Sequence, residues 1–230
     1  MPSQTVYNQE VWYNMNYETA VRLHMDELAR AHGAEFVDIH TDMGTIITLP
    51  YWTQPQFSAT LEDVAQRIKD ADGVVLEGRA SYAFMGAIVH NAYPRPCAQF
   101  VRAHGPLPHD IYEDFLILEQ GAYNPAGQIS FELEELGDDV YLSFMVDDGT
   151  NAGHAYDDRL LPLVKVPPIA PGKRIFIRGI TKYSIAISIA EAYRDTAKSV
   201  YMLYRADSEY ICAYSNCPED IPGARLPARK

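Results

Sequence analysis

The sequence predicts an α/β protein that contains one strand–turn–helix unit twice, with an extra helix at its N-terminus. Two observations support this prediction. The segment Gly73–Tyr93 matches the segment Arg174–Arg194 at a constant offset of 101 residues, and such a self-match indicates a repeated structural unit. Short apolar runs also alternate with helical segments along the chain, which is typical of α/β domains with right-handed crossovers.

The two matching segments share the same order of residue types. They read GVVLEGRASYAFMGAIVHNAY and RIFIRGITKYSIAISIAEAYR. Each begins with an apolar run, then reaches a charged residue and a glycine, and has a tyrosine four residues after that glycine. The shared positions are Val74-Val75-Leu76 and Ile175-Phe176-Ile177 in the runs, Glu77-Gly78 and Arg178-Gly179 at the junctions, and the tyrosines Tyr82 and Tyr183.

Each segment predicts a buried strand, a tight turn and a helix. An apolar run of this kind is typical of a strand covered on both faces in a parallel sheet. A glycine at its end permits a sharp turn and a close approach of the backbone to a neighbour. Small residues such as Ala87 and Ala190 allow the next helix to pack closely on the sheet. We therefore expect two tandem Rossmann-like units that form a pseudo-twofold pair.

Further elements complete these units. A helix at Leu61–Lys69 precedes the first glycine strand, and the extra helix at Tyr17–His32 has an apolar face that covers an edge of the structure. The turn-rich stretch Tyr123–Gly127 separates the copies. The expected organisation is a helical extension over 1–34, a first unit over 35–124 and a second over 125–230. Other predicted strands are Glu35–His40, Ala98–Val101, Phe115–Leu118, Asp139–Phe144, Val200–Leu203 and Tyr210–Ala213.

The composition argues against long nucleic acids as ligands. The chain of 230 residues has a formal net charge of −12, whereas binders of long DNA or RNA are usually basic. A small nucleotide is compatible with this charge, because backbone amides at a helix start bind phosphate. The three cysteines include no C-x-x-C pair, the first residues lack the basic start and apolar core typical of a signal peptide, and no apolar run reaches membrane-spanning length. We expect a cytoplasmic protein that does not contact membranes.

The two glycine turns are the predicted ligand site. In an open α/β sheet, ligands bind beyond the carboxyl ends of the strands, where turn amides and helix dipoles attract anions. In the first turn the arginine can pair with a phosphate, and the serine can cap the helix or donate to an oxygen. In the second turn Thr181 and Lys182 can have the same roles, with the lysine as a point charge. Both tyrosines can stack on bases. The predicted nucleotide-binding residues are Gly78, Arg79, Ala80, Ser81 and Tyr82, with Gly179, Ile180, Thr181, Lys182 and Tyr183.

These motifs resemble a known family. The turn Gly78-Arg79-Ala80-Ser81, followed by a helix that ends in Val89-His90, is similar to the G-R-G-P…A-H pattern of the CRISPR-associated Csx-three family. The second copy has its elements in that family's order, and Tyr204-Arg205-Ala206-Asp207 resembles the family's Y-D-P turn. The resemblance covers about residues 35 to 220. Because each motif is short, the order of the elements is stronger evidence for it than any single motif.

The resemblance implies a fold, an activity and a cofactor. Members of the family are single-copy, CARF-like Rossmann-fold proteins that dimerise, bind cyclic tetra-adenylate and cleave it in a manganese-dependent way, which turns off type III CRISPR signalling. In this chain each copy would correspond to one subunit of that dimer, so the dimer would be contained in a single chain. The resemblance therefore implies a ring nuclease, a phosphodiesterase that acts on a cyclic oligoadenylate with Mn²⁺ as cofactor, and leaves further self-association open.

The resemblance also implies catalytic residues. By motif they map onto His90 at the helix end, His104 in the first copy and Asp207 in the second. Histidine and aspartate suit this chemistry, because they act as acid, base or metal ligand near a phosphodiester. The second copy departs from the pattern, with Glu191 in place of the helix-end histidine and Asn216 near the place of a later one. The metal ligands stay unassigned.

Two other functions fit the same sequence. Because Glu191 and Asn216 replace expected catalytic residues, the protein can instead be a sensor or sponge that binds the ligand without cleaving it. Alternatively, the two copies build only a structural or assembly surface. Other site types are disfavoured, because the sequence has no G-x-S-x-G elbow, no H-E-x-x-H zinc motif and no EF-hand pattern at Asp147–Asn151.

Overall fold

A computed structural model of the protein describes residues 15–40, 46–101, 111–121, 128–147, 156–204 and 208–228. These residues form a mixed α/β structure with four α-helices, two large sheets and two small ones. The candidate catalytic residues His104 and Asp207 lie outside the described residues, as does the predicted boundary Tyr123–Gly127. Among the described helices, none is long and apolar enough to cross a membrane.

Most of the predicted strands are confirmed, including both glycine strands. The helices are α1 (Met25–Ala31), α2 (Gln54–Arg67), α3 (Tyr82–Ala92) and α4 (Tyr183–Glu191), with a 3₁₀ helix at Asp158–Leu163. The strands of the N-terminal half are β1 (Val21–His24), β2 (Glu35–His40), β3 (Ile46–Tyr51), β4 (Val74–Glu77), β5 (Cys97–Val101), β6 (Ile111–Asp114) and β7 (Glu119–Gln120). Those of the C-terminal half are β8 (Ile129–Leu136), β9 (Asp139–Val146), β10 (Lys165–Val166), β11 (Arg174–Arg178), β12 (Ser199–Tyr204), β13 (Glu209–Ser215) and β14 (Arg225–Pro227).

The two large sheets share a pattern of strand directions. The first has the order β1-β4-β5-β6, in which β1, β4 and β5 are parallel and β6 is antiparallel. The second has the order β14-β13-β12-β11-β9-β8, in which β9, β11 and β12 are parallel, β8 and β13 pair antiparallel on either side of them, and β14 pairs antiparallel with β13. In each sheet, the middle one of three parallel strands leads into a glycine turn. Both turns therefore lie at a carboxyl edge of parallel strands, where α/β proteins bind ligands.

The prediction of a helix over Tyr17–His32 is wrong at its start. Residues Val21–His24 form β1, which runs parallel to the glycine strand β4, and the helix begins only at Met25. The backbone of Val21 donates to the carbonyl of Gly73 at 3.0 Å, and Leu23 is buried. Pairing with β4 satisfies the backbone of this run while burying its apolar side chains, which outweighs its helical periodicity. The segment is thus part of the first sheet.

The prediction of a strand at Phe115–Leu118 is also wrong. This segment connects β6 to β7 without regular secondary structure, with Phe115 and Leu118 buried. The backbone N–H of Leu116 donates to the Ser188 hydroxyl of α4 at 2.8 Å instead of joining a sheet. The apolar run of this segment therefore reflects burial and not pairing in a sheet. The predicted strand Glu35–His40 does form, but it pairs with β3 in a separate antiparallel hairpin.

The two helices that follow the glycine turns join the halves of the structure. Helix α3 packs on strands β12 and β13 of the second sheet, where Gly86 lies under Met202 and Ala213. Helix α4 contacts β5 of the first sheet, and the two helices also pack on each other. Because each helix is buried against the opposite half, the starts of α3 and α4 are held side by side.

Candidate functional site

The first glycine turn is open to solvent and has a capped helix behind it. Gly78 has a φ of +89°, a conformation that favours glycine because a side chain is strained there. Arg79 follows and is exposed, and Ala80 is buried. Ser81 is the N-cap of α3, and its hydroxyl accepts the backbone N–H of Phe84 at 3.2 Å, as the sequence predicts. This turn presents backbone amides, a helix start and an exposed guanidinium group.

The second glycine turn needs glycine for a different reason. Gly179 does not have a positive φ, but a Cβ built there would collide with the ring of Phe144. Lys182 occupies the N-cap position of α4 and forms no side-chain cap. The hydroxyl of Thr181 is buried without a hydrogen-bond partner among the described residues. An unpaired buried hydroxyl is costly unless a ligand or a water molecule binds it.

The two tyrosines hold the turns together. The Tyr82 hydroxyl donates to the Thr181 carbonyl at 2.5 Å and accepts the Thr181 N–H at 3.3 Å. In return, the Tyr183 hydroxyl donates to the Ala80 carbonyl at 2.5 Å. The rings meet edge to face with centroids 5.1 Å apart, and burial raises the pKa of Tyr183. Their hydroxyl groups thus have a structural role that the sequence did not suggest, and their stacking on bases stays a prediction.

A carboxylate that the sequence analysis missed lies at the second turn. Glu113 of β6 approaches the Lys182 ammonium group to 3.3 Å and accepts the Ser184 hydroxyl at 3.0 Å. The side chains of Glu113 and Lys182 are both largely buried. Lys182 also donates to the carbonyl of Tyr156 at 3.3 Å. The charge predicted to bind phosphate is therefore neutralised within the protein. No sequence signal marks Glu113, because its partner is 69 positions later in the chain.

The charges near the first turn are arranged differently. Glu77, at the end of β4, pairs with Arg22 at 2.5 Å and with His24 at 3.0 Å, so its carboxylate is neutralised by the neighbouring strand. Arg79 has no ion pair or hydrogen bond with any described residue. A guanidinium group without an internal partner is available for a bidentate contact with phosphate.

The candidate catalytic residue His90 lies away from both turns. It is near the far end of α3, about 13 Å along the helix axis from Ser81 by the rise of ~1.5 Å per residue. Its ring stacks on Tyr214 with centroids 3.9 Å apart. Its Nδ1 atom is 3.6 Å from Oε1 of Glu191, the residue at the matching position of the second copy. The structure thus brings the two matching helix ends together, but at a place separate from the turns.

Polar residues meet at these helix ends, where Glu191 and Arg194 are buried and Asn216 is exposed. Glu191 is almost fully buried and accepts a hydrogen bond from Arg194 at 2.9 Å, and the Arg194 guanidinium group stacks on Tyr93. Asn216, near the place of a later histidine, donates to the carbonyls of Arg194 and Ala197. In the part of the chain that the structure describes, no group of three or more His, Cys, Asp or Glu side chains could hold a metal. These residues therefore provide no ligand set for the expected Mn²⁺.

Comparisons with known proteins leave the function to be argued from this geometry. No family model, no curated protein and no solved structure matches the chain. The resemblance to the Csx-three family stays a prediction. The chemistry open to the paired turns follows from their groups. These are two helix starts, exposed backbone at Gly78, the exposed Arg79 and the Thr181 hydroxyl, which has no partner among the described residues. Together these groups can bind an anion that also accepts or donates hydrogen bonds.

Proposed function

We propose that the protein binds a cyclic oligoadenylate, with cyclic tetra-adenylate favoured, at the paired glycine turns of two tandem Rossmann-like units. The observation that carries this proposal is the pair of crossed contacts, from Tyr82 to Thr181 and from Tyr183 to Ala80, which join two turns 101 residues apart. A site made of two similar halves suits a ligand that repeats one nucleotide around a ring. The resemblance to the Csx-three family supports the same ligand.

The first turn is the half of the site that binds a phosphate. Gly78 lets the backbone approach a phosphate closely, and the start of α3 adds the positive end of a helix dipole. Arg79 supplies the charge-assisted hydrogen bonds that a phosphodiester accepts. The negative charge of the whole protein does not oppose this, because a few local donors dominate the binding of a small anion.

Binding without cleavage is the form of this function that the geometry supports best. His90 is about 13 Å along α3 from the start of that helix, so it cannot act as acid or base on a phosphodiester bound at Arg79. Its Nδ1 atom also faces Glu191, whose carboxylate is bonded to Arg194. We therefore propose a sensor or sponge. Cleavage by a ring nuclease is the second candidate, and it depends on His104 and Asp207, which lie outside the described residues.

The experiment that tests the proposal is a binding and turnover screen. Purified protein is mixed with cyclic tri-, tetra- and hexa-adenylate and with linear tetra-adenylate, each with and without Mn²⁺. Calorimetry measures the affinity, and chromatography detects linear products. Arg79→Ala is the test variant. Arg67→Ala is its matched control, because Arg67 is an exposed arginine paired with Asp63 at the far end of α2.

Each outcome has a clear meaning. We expect one ring size to bind without products, and we expect Arg79→Ala to weaken this affinity about tenfold or more while Arg67→Ala leaves it unchanged. Linear products that disappear in His104→Ala or Asp207→Ala would replace the sensor with the ring nuclease. Absence of binding by every ring would reject the proposal. If Arg79→Ala then altered only self-association, a structural module would be supported.

A further inference from the structure

Strand β8 forms an open edge of the second sheet. It is last in the strand order, and among the described residues it pairs only with β9. Its residues from Glu132 to Leu136 are all exposed. Edge strands present unpaired N–H and C=O groups to other chains, and proteins usually protect such edges with lysine, proline, a bulge or a covering segment. The eight residues of β8 include no lysine and no proline, and their register with β9 is unbroken.

The backbone of β8 directs every second residue toward the open side. The N–H of Asp147 donates to the carbonyl of Gln128 at 2.8 Å, and these residues come next to the pair of Ile129 and Val146 in the register. Directly bonded pairs alternate along an antiparallel ladder, so the even-numbered residues of β8 bond to β9. The N–H and C=O groups of Leu133 therefore point away from β9, and they bond no other described residue.

The side chains of β8 give this edge a specific chemistry. Alternate side chains of a strand share a face, so Glu132 and Glu134 lie on one face, and Leu133 and Glu135 lie on the other. The three carboxylates form no ion pair or hydrogen bond with the part of the chain that the structure describes. Leu133 is 41% exposed, so an apolar side chain next to it would remove apolar surface from water.

We propose that β8 binds an extended segment of a partner protein in which basic and apolar residues alternate. The segment adds a strand to the second sheet. Its backbone pairs with the open side of Leu133, its basic side chains lie next to Glu132 and Glu134, and its apolar side chains lie next to Leu133. A second copy of this chain does not fit, because its own β8 would place glutamates beside glutamates. This interaction goes beyond the proposed function and does not depend on it.

The probe is a short synthetic peptide of alternating lysine and valine with both ends blocked. A second peptide has glutamate in place of every lysine. Fluorescence anisotropy measures the dissociation constants with the full-length protein, at one fixed ionic strength because salt screens contacts between exposed charges. We expect the lysine peptide to bind to the wild type and the glutamate peptide not to bind.

The first pair of variants tests the charges of the edge. Glu132→Gln/Glu134→Gln should weaken binding of the lysine peptide about fivefold, because two opposite-charge pairs across the strands are lost. The matched control is Glu27→Gln/Glu62→Gln, which removes two exposed glutamates from α1 and α2 and should bind as the wild type does. A loss of the same size in the control would mean that the peptide follows the overall charge, which rejects the proposed edge.

The second pair of variants separates the backbone of Leu133 from its side chain. Leu133→Pro and Leu133→Ala both remove the leucine side chain, but only proline also removes the outward N–H. Proline is tolerated on an edge strand where its nitrogen faces away from the sheet, so β8 should stay paired with β9. We expect Leu133→Pro to weaken binding at least tenfold and Leu133→Ala to weaken it less than threefold.

Other results would overturn the inference. These are a wild type that binds neither peptide or both equally, and equal affinities of Leu133→Pro and Leu133→Ala. A dimer in analytical ultracentrifugation that Leu133→Pro separates would also overturn it, because the edge would then bind a second copy. Should Leu133→Pro not fold, hydrogen exchange of the wild type replaces it. Protection of the Leu133 amide by the lysine peptide would support the inference, and an unchanged exchange rate at saturating peptide would contradict it.

Discussion

The two glycine turns occupy matching places in the repeat but have different contents. The first has a glycine with a positive φ, a serine cap and an exposed arginine that pairs with no described residue. The second has a glycine that makes room for Phe144, no side-chain cap and a lysine paired with Glu113. The difference teaches that the two matching segments share the junction of strand, turn and helix, whereas the chemical groups offered to a ligand differ between the two turns.

The largest expected effect comes from the two glycines. Gly179→Ala should destabilise the protein by about 3 kcal/mol, because its methyl group overlaps the buried Phe144 ring. Gly78→Ala should cost about 1–2 kcal/mol, because only backbone strain opposes it and its Cβ would lie 3.7 Å from Met25. Urea unfolding measures both values.

A double variant distinguishes the two causes. Phe144→Leu should recover part of the stability lost in Gly179→Ala, because the smaller side chain leaves room for the new methyl group. The same change should not rescue Gly78→Ala. Equal rescue of both variants would mean that the two glycines are required for the same reason.

The next effect concerns the tyrosines that join the turns. Tyr82→Phe should cost about 2 kcal/mol of unfolding free energy, because the buried N–H and carbonyl of Thr181 both lose a partner. Tyr183→Phe should cost about 1 kcal/mol, because only the Ala80 carbonyl loses one. Thermal unfolding of the single and double variants measures these costs. Values near zero for both tyrosines would show that the turns are held together by other contacts.

A smaller effect is expected from the helix caps. Ser81→Ala should lower stability by about 1 kcal/mol, since the Phe84 N–H loses its cap, and Ser81→Asp should retain most of it. Denaturant unfolding compares the two variants. If Ser81→Ala were neutral, the hydroxyl would be more important for a ligand than for the helix, and the contrast with Lys182 would weaken.

The smallest effect is a pH dependence at Asp114. Burial raises the pKa of this carboxyl, although the hydrogen bond from Tyr17 partly opposes the shift. A raised pKa means that the folded state holds the proton more tightly than the unfolded state. Stability from this group is therefore complete below its ordinary pKa of 3.8 and is lost as the pH rises through the folded value. Asp114→Asn should flatten the stability profile above about pH 4, and an unchanged profile would contradict this assignment.

Much of the fold follows from local patterns in the sequence. The apolar runs before Gly78 and Gly179 are strands, and the strands at Ala98–Val101, Val200–Leu203 and Tyr210–Ala213 form nearly as predicted. Strand β1 could not be predicted, because its four residues lead into α1 without a turn and continue that helix's periodicity. Its strand conformation comes from pairing with β4, a contact between distant segments.

Less of the candidate site could be predicted. The recurrence of Tyr82 and Tyr183 at one spacing marked both residues, but their crossed bonds depend on how the two halves pack. Nothing in the sequence around Lys182 indicates that Glu113 neutralises its charge. His90 and Glu191 match in the repeat and do meet, yet the length of α3 places them away from the turns. Such pairings are properties of the tertiary structure.

The central claim is that the first turn, and not the second, binds the phosphate of a cyclic oligoadenylate. Calorimetry with cyclic tetra-adenylate on the wild type, Arg79→Ala and Lys182→Met tests it most directly. We predict that Arg79→Ala weakens binding about tenfold or more, and that Lys182→Met weakens it less than about threefold, because that charge is already neutralised by Glu113. A loss in Lys182→Met as large as that in Arg79→Ala would contradict the claim.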